Sequence, residues 1–216
     1  MPQDTPSTIP RDIRQLSART RQFAVVNLSR EKRRALLTAA EAVRIYESDL
    51  RDRRTTIYCE DGFSVEIIWG KGNFAHLCGL DYFIDEAKTI PGSARRFYDL
   101  LLGTQIDNLV KHVKVREKVS FVQKKSRVIC RALRFDGAKI IADSSLKDIA
   151  IAFGNELDGK AEEYTWCIGL GLDQKRSTEE HPVYFPRSLR QQSALSAEIH
   201  EDGTKTHIIT DIVTRI

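Results

Sequence analysis

Several features are scarce or missing in this 216-residue chain, and each absence narrows what it can be. No apolar run approaches the roughly 18 residues of a membrane span, so a membrane role is not expected. The opening stretch "MPQDTPSTIPRDIR" holds no hydrophobic segment of the signal-peptide kind, and the expectation is a cytoplasmic protein. The four cysteines, Cys59, Cys78, Cys130 and Cys167, are scattered and form no C-x-x-C, which argues against a disulfide framework and reads as core-filling thiols. His76 and Cys78 make an H-x-C with no second ligand pair nearby, so no metal site is expected. Gly70-Lys71-Gly72 has the spacing of neither a P-loop nor a G-x-G-x-x-G, and Gly169-Leu170-Gly171 lies inside an apolar strand; no cofactor is expected. Internal repeats and low-complexity segments are absent.

What is present is an ordinary apolar content with an uneven distribution of charge. The net charge is only +4, yet residues 1–54 carry 12 basic and 7 acidic groups and residues 111–134 carry 9 and 1, whereas residues 135–216 carry 9 and 14. Basic helices beside an acidic C-terminal half favour a polyanionic partner, RNA or DNA first.

The first ten residues, with three prolines, read as a flexible lead-in, and residues 11–216 as a single domain. "RDIRQLSARTRQFAVV" places Ile13, Leu16 and Phe23 at helical intervals. Ser29 is expected to cap a second helix marked by Leu36, Ala40, Val43 and Leu50. Residues 55–70 read as a hairpin about Asp61-Gly62, followed by a Gly70-Lys71-Gly72-Asn73 turn. "IPGSARRFYDLLLG" predicts a serine-capped helix stopped by glycine, and Thr104 is expected to cap a short helix through Val110. Residues 114–134 read as one basic helix with an apolar stripe. From residue 138 on, short segments with partial alternation predict strands, ending in a second hairpin about Asp202-Gly203. Helices at 11–54 and 93–134 and a strand-rich 138–216 predict an α+β fold, with N-terminal and central helices packed on a mostly antiparallel twisted sheet.

Three groups of side chains are chemically interesting. His76 carries the side chain that titrates nearest neutral pH, with Lys71 and Asn73 just before it. "YFPRSLRQQ" gathers Tyr184, Arg187, Ser188 and Gln191, and its proline suggests an exposed edge or loop. In the last hairpin, Glu198 opposite His207 and His200 opposite Lys205 would share one sheet face, an alternative acid–base cluster.

Taken together, "NFAHLCGL" (73–80), "ARRFYDLLL" (94–102), the basic helix and "YFPRSLRQQ" (184–192) resemble the phage-associated members of the Barnase–EndoU–colicin–RelE-like nuclease superfamily, in particular the fourth phage type. The pattern there is asparagine-phenylalanine-x-histidine-leucine-threonine-glycine, then a phenylalanine-tyrosine helix, then tyrosine-x-proline-x-serine. The resemblance spans roughly residues 30–195, and Cys78 stands where threonine is usual.

The resemblance implies metal-independent RNA cleavage through a 2′,3′-cyclic phosphate. His76 would be the general base or acid, with Tyr184 and Ser188 in the late motif. Arg187 is assigned to phosphate stabilisation on chemical grounds. Lys71, Asn73, Lys118, Lys124, Lys125, Arg127 and Gln191 complete an expected RNA-binding set. The partners expected are tRNA, rRNA or mRNA, and a neutralising antitoxin or immunity protein, in the cytoplasm of a bacterial host. Two alternatives remain at this point: an inactive relative that binds nucleic acid or protein, and a module that only inhibits host defence.

Overall fold

The longest element is a helix, and its length follows from what it lacks: from Ala18 to Ile45 there is neither glycine nor proline. A computed structural model describes residues 18–116, 118–144, 146–157, 159–196 and 205–216, so the expected lead-in lies outside the described residues. Helix α1 (Ala18–Ile45) runs straight through Ser29, which therefore caps nothing; a serine inside so helix-prone a segment costs too little to end it. Leu36, Ala39, Ala40 and Val43 turn inward at helical spacing, while Arg33, Arg34 and Leu37 face water. A π-helical turn, Tyr46–Leu50, ends it and buries both of its terminal side chains.

Strands β1 (Arg54–Cys59) and β2 (Ser64–Ile68) form the expected hairpin. Its loop has three residues, not two: Cys59 N–H donates to the Phe63 carbonyl, and Gly62 takes the left-handed conformation (φ +82°) that closes such loops. Helix α2 (Lys71–Cys78) follows and occupies the stretch expected to be a turn. The ribbon strand β3 is Leu80–Tyr82. The serine-capped helix appears as α3 (Ala94–Leu102), with Ser93 Oγ accepting from Arg96 N at 3.1 Å. Helix α4 (Ile106–His112) starts beyond Thr104, which sits in the connection at φ +58° and does not cap it.

The basic helix, α5, is shorter than its charge pattern suggests, Val119–Leu133. Val113–Val115 forms strand β4 instead, because alternating β-branched residues there pair with β3 (Asp81↔Lys114). Then come β5 (Ala138–Asp143), β6 (Ile151–Asn155), β7 (Cys167–Leu172), β8 (Val183–Arg190) and β9 (Thr206–Arg215).

The result is an α+β fold: among the described residues, five α-helices stand against a mostly antiparallel seven-stranded sheet. The sheet closes on itself in the order β1-β2-β8-β7-β6-β5-β9. Among the described residues, only the β2–β8 pairing is parallel, at two residue pairs, Glu66↔Val183 and Ile67↔Tyr184. "YFPRSLRQQ" is thus no edge or loop up to Arg190 but an internal strand. Its proline is tolerated because the β2 ladder has already ended before Pro186. The expected Asp202-Gly203 turn and its first arm lie outside the described residues. The second arm is β9, paired with β1 and β5.

One core joins helices to sheet. At its centre the Tyr46 ring meets Trp69, Phe74 and Tyr98 edge-on, with centroids 5.8, 5.2 and 5.9 Å away. Its hydroxyl donates to the Gly70 carbonyl at 2.9 Å, tying the end of α1 to the start of α2. Replacing Tyr46 by alanine is expected to cost about 3–5 kcal/mol and Tyr46→Phe about 1 kcal/mol, read by denaturant unfolding. Equal losses for the two would show that the ring packing matters less than the hydrogen bond.

Candidate active site

Helix α2 is built by the same residues that make up its sequence motif. Asn73 caps it, accepting the Gly70 N–H on its side-chain oxygen at 3.0 Å. Phe74, Leu77 and Cys78 are buried, and Gly79 ends the helix in the left-handed conformation (φ +70°). Lys125 reaches across from α5 and donates to the His76 carbonyl at 3.2 Å, a cation placed at a helix C-terminus. A Cβ at position 79 would come within 3.0 Å of the Lys125 side chain, so the glycine also makes room for that contact. His76 is left half-buried, the one polar ring of the motif with no capping or core role.

The β3–β4 ribbon supplies its partner. Arg116 directly follows β4, and its N–H donates to the Gly79 carbonyl at 3.1 Å. Its Nε and Nη2 donate to Asp81 Oδ1 at 2.9 and 2.8 Å, and Nη1 lies 3.0 Å from His76 Nδ1. A guanidinium only donates, so Nδ1 is the acceptor and the neutral ring carries its proton on Nε2. Burial holds the His76 pKa below the ordinary imidazole value, and the positive charges of Arg116, Arg187 and Lys125 reinforce this; Asp81 opposes it.

Arg187 arrives by a β-bulge. Gly169 pairs with Ser188 and Leu170 with Pro186, leaving Arg187 as the extra residue on β8. Its Nη2 donates to Asp148 at 3.1 Å. Across from it β7 has no side chains to offer: a Cβ on Gly171 would sit 3.3 Å from Arg187 Cδ, and one on Gly169 only 2.6 Å from Ser188 Oγ. Gly169-Leu170-Gly171 is therefore a strand that clears space for Arg187 and Ser188, with Leu170 turned into the core.

The structure brings His76 and Lys125 together and adds Arg116, one charge among nine in its basic stretch, while Arg187 acts on His76 through its charge. It does not bring Tyr184 with them. Tyr184 pairs with Leu172 and lies buried on the opposite face of β8 from Ser188; burial raises its pKa. Lys71 is turned away toward α3, bonded to Asp99 at 2.8 Å and lying 5.5 Å over the Tyr98 ring. Lys71 and Asn73 border a cleft of about 660 Å³ at the other end of α2, where Arg95 and Arg176 are offset by Asp99 and Asp173. Lys124 and Arg127 are exposed on α5, and Lys118 is exposed at its N-cap. Gln191 donates its side-chain N–H to the Glu163 carbonyl.

Of the alternative cluster, Glu198 and His200 lie outside the described residues and Lys205 is exposed. His207 is 4% exposed, stacked on Phe63 with centroids 3.8 Å apart and bonded to Asp61 at 2.7 Å. It pairs with Ile141 on the inward side, while Ile208 stands in water. The face that carries His207 is therefore turned inward, and this histidine fastens β9 to the first hairpin.

Burial pushes the Cys78 thiol up to about 12, so it stays protonated beside His76 and is no nucleophile at neutral pH. It fills the position of the usual threonine without that residue's hydroxyl.

The chain belongs to the phage-Barnase-EndoU-ColicinE5/D-RelE like nuclease4 family, whose model matches residues 40–213. No curated protein and no solved structure matches it. Membership indicates a nuclease, with a nucleic acid as its substrate class. All the residues around His76 lie within the matched span.

Arg116→Ala removes both a charge and cover from His76, so the imidazole pKa is expected to rise toward its ordinary value. The His76 ring resonances, followed by NMR across a pH titration, read the shift. An unmoved midpoint would mean that Arg116 does not govern this ring.

Proposed function

We propose that the protein is an endoribonuclease that cleaves RNA by attack of the 2′-hydroxyl on the adjacent phosphate, without a metal ion. The observation that carries this reading is a neutral His76 bonded to the Arg116 guanidinium, with the positive charge of Arg187 also acting on the ring. Such chemistry needs a base for the 2′-hydroxyl proton and cations for the phosphorane charge.

An incoming phosphate draws Arg116 Nη1 off His76, which frees the Nδ1 lone pair. It also offsets the positive charge that suppressed the ring's basicity, so His76 becomes a better base as substrate binds. Nδ1 then takes the 2′-hydroxyl proton, the 2′-oxygen bonds to phosphorus, and the bond to the 5′-oxygen breaks. The leaving 5′-oxygen takes a proton from water. Arg116 and Arg187, which are paired with Asp81 and Asp148 in the free protein, stabilise the charge on the non-bridging oxygens. Lys118 at the N-cap of α5, with Lys124 and Arg127 along it, hold flanking phosphates. An RNA-cleaving effector of a phage-derived element, working in the cytoplasm and held in check by a neutralising protein, is the role that fits this activity. No helix among the described residues is long and apolar enough to cross a membrane.

Purified protein is expected to cut RNA in EDTA, leaving cyclic phosphate ends, and His76→Ala is expected to lower kcat by about 10²–10⁴-fold with the melting temperature unchanged. In the wild type the acidic limb of kcat/KM should fall below the usual imidazole midpoint, because the free ring is held neutral. Intact RNA across a range of salts would remove this reading.

A second reading has an observation of its own. Cys78 brings no hydroxyl to the site, and Asp81 and Asp148 already neutralise its guanidinium groups. A protein that binds RNA without cutting it would show steeply salt-dependent affinity, no products, and indifference to His76→Ala.

A further inference from the structure

Phe121 is one of the large hydrophobic side chains that the fold leaves exposed, and it lies beside the His76 site. It sits on the first turn of α5, its N–H donating to the Lys118 carbonyl at 3.0 Å, and the residue is 39% exposed although Val122 beside it is buried. The core therefore does not need it. Phe121 lines a shallow depression with Gly79, Arg116, Val122 and Lys125. Arg116 and Lys125 are the two cations that grip His76, one at the ring nitrogen and one at the carbonyl. Lys118 and Lys124, both exposed, flank Phe121 at helical spacing.

We propose that Phe121 is the stacking platform for an unpaired nucleobase of the RNA whose phosphate lies at Arg116 and His76. The proposal rests on the ribonuclease reading for its choice of ligand. An aromatic face framed by cations offers what one nucleotide presents, a π surface next to a phosphodiester. A base stacked inside a duplex cannot reach such a ring, so the site takes single strands and loops. The stack also fixes the nucleotide's orientation at His76, which links affinity to cleavage position.

The test uses the full chain in a His76→Ala background, so that RNA is bound and not consumed. The native indoles, Trp69 and Trp166, are fully buried and give a constant background. The indole introduced by Phe121→Trp is expected to be quenched by a single-stranded RNA oligonucleotide, but not by inorganic polyphosphate of equal charge or by an RNA duplex. Phe121→Ala should weaken single-strand binding roughly ten- to a hundredfold while leaving its salt dependence unchanged. Phe121→Tyr should restore it and Phe121→Leu should not. Each variant is exposed at this position and is checked by its melting temperature.

Equal quenching by polyphosphate, or wild-type affinity in Phe121→Leu, would overturn the proposal. Cleavage by the wild type is measured separately. Quenching by RNA without cleavage keeps the platform and removes the ribonuclease. Cleavage with KM unmoved by Phe121→Ala, and no quenching, removes the platform alone.

Discussion

The aromatic packing under α2 is the contact on which the site depends. An eight-residue helix with glycine at its second position does not hold together alone in water. Here Phe74 meets Tyr46 and Tyr98 edge-on and Trp69 packs on Tyr46 in turn, with ring centroids 5.2 to 5.9 Å apart, and the Tyr46 hydroxyl holds the Gly70 carbonyl. The rings come from the end of α1, the end of β2 and the middle of α3, so His76 is placed by three distant parts of the chain at once. Trp69 is itself held by a bond from Nε1 to Thr55 Oγ1 at 2.8 Å. The position of His76 is thus inherited from the core.

On that base the site is an electrostatic arrangement. Asp81 orients Arg116 through two of its nitrogens and leaves the third for the imidazole. Because the guanidinium stays charged at any relevant pH, it can keep the ring neutral and fix its tautomer. His207 shows the contrast: it has a carboxylate partner, a stacked ring and almost no exposure, and it serves the architecture. Two histidines of one chain differ in role because one meets a cation at a surface and the other an anion in the interior.

Local signals made much of the fold readable. Ser93, Gly103 and the stripe between them marked α3, and Asp61-Gly62 marked the first hairpin, although its loop is one residue longer than expected. The helix that carries His76 was hidden because glycine at positions 70 and 72 reads as a turn, and its stability comes from remote rings. Lys114 and Val115 read as the start of the basic helix because the strand they form exists only through β3. His76 and Arg187 stood out by residue type. Arg116 did not, since one arginine in a basic run looks like its neighbours until Asp81 and His76 are seen on either side. Tyr184 and Ser188 stand together along the chain and would share a face by plain alternation, but the bulge at Arg187 shifts the phase and puts them on opposite faces.

The pairing of β1 with β9 carries a consequence for how the protein comes into being. Arg54 lies against Arg215 and Thr55 against Thr214, so the ring is sealed by segments separated by nearly the whole described chain. Such remote closure is entropically expensive and slow. On the ribosome, every earlier strand must wait as an open sheet until the last one emerges. Whatever the finished molecule does to nucleic acid, a nascent chain has yet to acquire its complete barrel, and that delay separates synthesis from activity in time.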